Sequence, residues 1–177
     1  MNMELLKTSK VLISEKELDS RVTEIAEQIN SDFKGEKVII VGVLKGSFIF
    51  MSDLVKKINL DTEVYFLKAE SYGKDTKSSG SVKITKDIEC DIEGENVIVV
   101  EDIIDSGFTM KEVFKILNGR NPKSLKLCSC LSKPERRECE IYIDYLGFEI
   151  PDKFVIGYGL DYAEKYRNLP YIGYIEP

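Results

Sequence analysis

The densest run of chemically capable residues is Val97-Ile98-Val99-Val100-Glu101-Asp102-Ile103-Ile104-Asp105-Ser106-Gly107-Phe108-Thr109. A β-branched run ends in two adjacent carboxylates. Two apolar residues follow, and then Asp-Ser-Gly-x-Thr opens what reads as a helix. The N-terminus of a helix presents free N–H groups and the positive end of the helix dipole to an anion. Ser106 and Thr109 add hydroxyl donors, and Gly107 lets the backbone approach closely. Asp105–Thr109 therefore reads as a cradle for a monophosphate. Glu101 and Asp102 beside it repel that phosphate, and they fit hydroxyl groups or a hydrated Mg²⁺ instead. A strand end with solvated acids and an ordinary helix cap is the plainer reading of each part, but the whole string is far more specific. It is neither a Walker A loop, since GxxxxGK[ST] is absent, nor a dinucleotide fingerprint, since no GxGxxG follows a strand.

Composition narrows the chemistry further. The 177 residues include no histidine, which excludes a Ser-His-Asp triad, a His-ligated metal and an imidazole base. Proton transfer falls to Asp, Glu, Lys, Tyr or Cys. The formal charge of −6 makes the chain a poor general nucleic-acid binder. Cys90, Cys128, Cys130 and Cys139 form no CxxC pair. No apolar run reaches the ~20 residues of a membrane span, and the first residues lack a signal-peptide core. These features imply no membrane partner, reduced thiols and a cytoplasmic location.

The elements that must position these residues follow from periodicity. Ser14-Glu15-Lys16-Glu17 has the form of a capping box, and Leu18, Val22, Ile25, Ala26 and Ile29 continue at helical spacing, predicting a helix over 15–31. Val38–Val43 and Val97–Val100 read as strands covered on both faces. Helices are predicted over 47–55 and 110–117, with Asn118-Gly119 as a stop, and strands over 63–69 and 125–131. Short strands are expected at 141–143, 154–156 and 172–175. The β-α-β-β-α-β order predicts one α/β domain with a mostly parallel central sheet flanked by helices. Its core spans about 33–133, a small hood lobe about 1–14 and 134–177, and a mobile loop about 71–83.

The Glu-Asp-x-x-Asp-Ser-Gly-x-Thr string resembles the phosphoribosyl-pyrophosphate (PRPP) signature of type I phosphoribosyltransferases. Leu44-Lys45-Gly46-Ser47, Ser71-Tyr72-Gly73, Leu131-Ser132-Lys133 and Phe154 through Asp161 to Arg167-Asn168-Leu169-Pro170 follow in the order of the hypoxanthine-guanine phosphoribosyltransferases. The resemblance spans about residues 11–175. It implies a purine-salvage transferase that moves the 5-phosphoribosyl group of PRPP to N9 of a 6-oxopurine, with Mg²⁺ as cofactor.

Roles carry over residue by residue. The resemblance places the 5-phosphate on Asp105, Ser106, Gly107, Phe108 and Thr109, with Asp105 also the catalytic group at purine N7. Glu101 and Asp102 take the ribose and metal side. Leu44, Lys45, Gly46, Ser47 and Arg167 take the pyrophosphate, and the Leu44–Lys45 bond can be cis. Ser71 and Tyr72 close over the site. Lys133 donates to the 6-oxo oxygen, which rejects adenine because donor would face donor. Phe154 stacks on the base, the Val155 carbonyl accepts from a 2-amino group, and Asp161 joins the metal ligands on the purine side. The implied assembly is a homo-oligomer, a dimer or tetramer. Two departures stand out: Ser106 replaces the threonine of many relatives and keeps the hydroxyl, and Phe108 is larger than the residue often found there. A non-catalytic regulator of the same fold, binding PRPP or nucleotides, is the alternative. A phospho-accepting receiver domain fits the Asp-Ser-Gly-x-Thr loop poorly.

Overall fold

The computed structural model describes residues 9–71 and 82–175. Its strands are β1 (Ser9–Ile13), β2 (Lys37–Leu44), β3 (Asp61–Ser71), β4 (Val82–Lys86), β5 (Asn96–Ile104), β6 (Ser124–Ser132), β7 (Tyr145–Glu149), β8 (Phe154–Ile156) and β9 (Ile172–Ile175). The helices are α1 (Glu15–Asp32), α2 (Phe48–Val55) and α3 (Phe108–Asn118), with a single 3-10 turn at Pro134–Arg136.

The expected capping box forms. Glu17 N–H donates to Ser14 Oγ at 3.3 Å and Ser14 N–H donates to Glu17 Oε2 at 2.8 Å. Helix α3 stops at Asn118 as its Asn-Gly signal predicts, although Gly119 itself stays right-handed at φ −63°.

Six strands form one sheet in the order β4-β3-β2-β5-β6-β7. All pairs are parallel except β3 with β4 at one edge. The alternation of side chains divides the core in two. Val38, Ile40, Ile98, Val100, Cys128 and Cys130 face α1, α2 and part of the second sheet, while Ile39, Val41, Val43, Val97, Val99 and Leu127 face α3. Burial on both faces explains why these strands read as unbroken apolar runs rather than alternating ones.

The second sheet is antiparallel, β1-β9-β8, and forms the hood. One expected strand needs correction. The strand expected over 141–143 is irregular, and the strand lies instead at Tyr145–Glu149, paired parallel to β6 in the main sheet. The Asp144 carboxylate explains the shift: it accepts from Lys126 Nζ at 2.8 Å and from Leu127 N–H at 2.9 Å, so pairing begins just after it.

The chain leaves β2 toward β3 on one side and leaves β5 toward β6 on the other. Ligands of open α/β sheets bind at such a switch point, outside the carboxyl ends of the strands. The loops after β2 and β5 are the ones the sequence marked. Of the expected mobile loop, Ser71 ends β3 and pairs with Val82 of β4, while Tyr72 lies outside the described residues. Among the described residues, no helix is long and apolar enough to cross a membrane.

Candidate active site

The β5–α3 turn is set by Gly107, whose φ of +91° puts it in the left-handed region. A Cβ there would also come within 3.0 Å of Cys139 Sγ. The Ser106 carbonyl accepts from the N–H groups of Glu138 and Cys139 at 3.0 and 3.3 Å, which clamps the turn from behind. Phe108 and Thr109 then open α3.

The β2–α2 turn packs against the same strand end. Its Leu44–Lys45 peptide is cis. A Cβ on Gly46 would sit 1.5 Å from Asp102 Oδ2, and one on Gly159 would sit 1.9 Å from the Gly46 carbonyl. Two glycines thus let three segments meet: the β5 end, the Lys45-Gly46 turn and the hood loop.

Ser47, expected to meet pyrophosphate, is fully buried, and its hydroxyl donates to the Val43 carbonyl at 2.6 Å. That hydroxyl points into the fold, leaving backbone and Lys45 to offer the loop's donors. Lys45 Nζ meets Glu164 Oε1 at 3.1 Å. Arg167 donates from Nη1 to the Gly159 carbonyl at 2.7 Å, and from Nη2 it pairs with Asp161 Oδ1 at 2.8 Å and Glu164 Oε2 at 3.2 Å. Asp161 Oδ2 accepts from Glu164 N–H at 2.8 Å. Both expected pyrophosphate cations therefore share one carboxylate, Glu164, which sequence reasoning missed.

Glu101 and Asp102 have the altered electrostatics of a ligand site. Burial, reinforced by the Asp102 charge, pushes the Glu101 carboxyl well up, and its Oε2 is buried with no hydrogen-bond partner among the described residues. Burial also pushes Asp102 up, to about 6, against the opposing hydrogen bond from Ile103 N–H at 2.8 Å. An orphaned hard oxygen beside a second carboxylate fits a hydrated divalent cation or a sugar hydroxyl. Glu101, Asp102 and Asp161 do not close into a protein-only cage: among the described residues no three potential metal-binding side chains cluster.

The other half of the site is a cavity of about 460 Å³ lined by Ile103, Asp105, Lys133, Arg136, Asp152, Phe154, Val155, Leu160 and Asp161. The register explains why positions 105 and 133 meet. Ile104 pairs with Ser132, and Lys133 N–H donates to the Ile104 carbonyl at 2.9 Å. The Lys133 residue is 8% exposed. Val155 is buried, whereas the Phe154 ring is exposed and meets Tyr162 edge-on, with centroids 5.6 Å apart. Arg136 and Asp152 were also missed; the basic run after Lys133-Pro134 and the Pro151-Asp152-Lys153 turn were their only signals.

A larger cavity of about 600 Å³ opens between α1, α2 and Asn168–Pro170. Two of its acids are spoken for: Asp53 takes Lys56 Nζ at 2.7 Å and Tyr158 OH at 2.8 Å, and Asp19 takes Lys57 Nζ at 2.6 Å.

Comparison with known proteins agrees with this geometry. Residues 14–163 match the phosphoribosyl transferase domain. The hypoxanthine phosphoribosyltransferase of Buchnera aphidicola subsp. Schizaphis graminum is 53% identical over 168 residues, covering 94% of this chain and 95% of that one. The Escherichia coli (strain K12) hypoxanthine phosphoribosyltransferase is 48% identical, covering 94% of each. A crystal structure of a Bacillus anthracis hypoxanthine-guanine phosphoribosyltransferase superposes with a TM-score of 0.91 at 50% identity, covering 94% of this chain and 98% of that one. One of a Staphylococcus aureus hypoxanthine phosphoribosyltransferase gives 0.95 at 42% identity, covering 100% and 97%. With a domain match over most of its length and relatives about half identical along nearly their whole length, this chain belongs to the phosphoribosyltransferase family, in its hypoxanthine phosphoribosyltransferase branch.

Proposed function

We propose that the chain transfers the 5-phosphoribosyl group of PRPP to N9 of a 6-oxopurine, hypoxanthine and also guanine, releasing IMP or GMP and pyrophosphate. The observation that carries this reading is the meeting, at one switch point, of the Asp105–Thr109 turn with Lys133 and the Lys45-Gly46 turn. The 5-phosphate lies on the N–H groups and hydroxyls of Asp105–Thr109. The ribose hydroxyls lie against Glu101 and Asp102, and the pyrophosphate on the Lys45-Gly46 turn and Arg167. Phe154 stacks on the purine, Lys133 donates to its 6-oxo oxygen, and the Val155 carbonyl accepts from a 2-amino group. N9 attacks C1 of the ribose as pyrophosphate leaves, and Asp105 holds or takes the N7 proton. A chain without histidine leaves that task to a carboxylate.

Mg²⁺ fits the orphaned Glu101 oxygen and the neighbouring Asp102, and bound there it supplies charge neutralisation for the leaving pyrophosphate. Asp161 would join them by giving up its contact with Arg167. Ser71 and Tyr72 would close the site and keep water from the developing ribosyl cation. Exposed Phe48, Val64 and Phe66 support self-association as a dimer or tetramer. Four free cysteines support a cytoplasmic location.

The test is an assay with PRPP, Mg²⁺ and each of hypoxanthine, guanine, xanthine and adenine. Pyrophosphate release with the 6-oxopurines, and little with adenine, is expected. Adenine as the best substrate would overturn the Lys133 role. Absence of pyrophosphate release with every base would return the chain to a PRPP-binding regulator, an alternative that none of these relatives' names supports.

A further inference from the structure

The purine cavity contains a row of alternating charges. Asp105 Oδ1 lies 2.8 Å from Arg136 Nε, Arg136 Nη1 lies 3.4 Å from Asp152 Oδ2, and Asp152 Oδ1 lies 3.3 Å from Lys133 Nζ. The row joins the end of β5, the 3-10 turn after β6 and the turn before β8. Its burial is uneven. The Lys133 side chain is 10% exposed, whereas those of Asp105, Arg136 and Asp152 are 45%, 51% and 43% exposed.

A deeply set ammonium needs a counter-ion to stay charged and in place. Among the described residues, the carboxylate that pairs with Lys133 is Asp152. The two pairs made by Arg136 are too exposed to contribute much to stability. Their strength rises only when a base covers the cavity and excludes water. Asp105 Oδ1 is buried against Arg136, while the side chain as a whole is 45% exposed, so Arg136 fixes the carboxylate and leaves its accessible part for a ligand N–H.

We propose that Asp152 and Arg136 are positioning residues of the purine half-site. Asp152 holds Lys133 Nζ where the 6-oxo oxygen arrives, and Arg136 ties Asp152 to Asp105. On a 6-oxopurine, the O6 acceptor and the N7 position are neighbours along one edge. The Lys133-Asp152-Arg136-Asp105 row sets one donor, Lys133, and one acceptor, Asp105, on the wall of the same cavity. Adenine, with an amino donor at C6, mismatches it. The proposal deepens the function given above and rests on its roles for Lys133 and Asp105.

The test is initial-rate kinetics on the full chain with PRPP, Mg²⁺ and either hypoxanthine or adenine. Asp152→Asn is expected to raise the KM for hypoxanthine about tenfold and to narrow the preference over adenine. The KM for PRPP should stay within about twofold, and Asp152→Glu should recover most of the loss. Arg136→Gln is expected to lower kcat about tenfold, with Arg136→Lys recovering part of it. Equal shifts in both KM values, a matching drop in melting temperature and no rescue by Asp152→Glu would show a merely structural role and overturn the proposal. Lys133→Gln separates the layers. If it raises the hypoxanthine KM while Asp152→Asn does not, the positioning role fails alone. If Lys133→Gln changes nothing, the Lys133 reading fails and the positioning role with it. Should Asp152→Asn not fold, Arg136→Gln against Arg136→Lys still decides, since an unchanged kcat in both overturns the row.

Discussion

The two ends of the site proposed to hold anions are built on opposite plans. At the β5–α3 turn, no lysine or arginine stands within Asp105–Thr109. Its donors are backbone N–H groups and hydroxyls, fixed by a left-handed Gly107 and by the clamp on the Ser106 carbonyl. At the other end the donors include the long side chains of Lys45 and Arg167, already neutralised by Glu164 and Asp161. Fixed dipoles suit a phosphate that stays on the same molecule throughout a reaction, because they need no rearrangement. Exchangeable ion pairs suit a group that must arrive and leave, because a departing anion is replaced at once by a carboxylate of the protein. The difference teaches that electrostatic holding and electrostatic release call for different materials, backbone for one and side chains for the other.

Substitutions can break or sharpen this contrast. The largest effect belongs to the residue between the two ends. Asp105→Asn is expected to lower kcat by roughly 10²- to 10⁴-fold while PRPP binding changes little; calorimetry beside steady-state rates checks both. Equal turnover in variant and parent would remove Asp105 as the proton-holding group.

Next comes a pH effect at Asp102. Burial raises its carboxyl from 3.8 to about 6 in the folded chain. The folded state therefore keeps a proton that the unfolded state releases, and this contribution to stability is full below about pH 4 and lost as pH rises through about 6. In EDTA and without substrate, Asp102→Asn should match the parent near pH 4 and exceed its stability by up to about 3 kcal/mol at pH 7. Denaturant melts at several pH values measure it, and parallel curves would refute the burial assignment.

Arg167→Gln should weaken inorganic pyrophosphate binding about tenfold or more and flatten its salt dependence. Gly107→Ala strikes the fixed end. It should cost about 1–3 kcal/mol of stability through the left-handed backbone, and it should weaken PRPP without changing the salt dependence of pyrophosphate binding. A titration of each ligand against KCl separates the two. The smallest effect is expected at Glu164. Glu164→Gln should leave the melting temperature unchanged, because the pair is exposed, and tighten pyrophosphate about two- to threefold. Weaker binding instead would mean that Glu164 orients the cations rather than standing in for the anion.

Much of this molecule is legible from residue patterns because it rests on local rules. The capping box of α1 and the apolar runs of β2 and β5 depend on side chains within a few positions of one another. So does the strand-to-helix turn at Gly107. The strand β7 was misplaced because Ile141-Tyr142-Ile143 has β-forming residues, yet tertiary pairing begins only after Asp144 bonds across to Lys126 and Leu127. Local preference lost there to register. The short β1 escaped notice because its hydrogen bonds go to β9 at the far end of the chain.

The sequence by itself determined the α/β class, the phosphate-type turn, the carboxylate pair and the absence of imidazole chemistry. Those properties are carried by residue identity and near-neighbour spacing. Only the tertiary structure decided which side chains face one another across the site. The parallel register of β5 with β6 put Lys133 in one cavity with Asp105, and the close approach of Gly46 and Gly159 brought Glu164 onto Lys45. It also set Asp152 and Arg136 into the cavity beside Lys133. Such contacts join residues tens of positions apart, and their geometry is fixed by strand pairing and packing, which one-dimensional spacing does not encode.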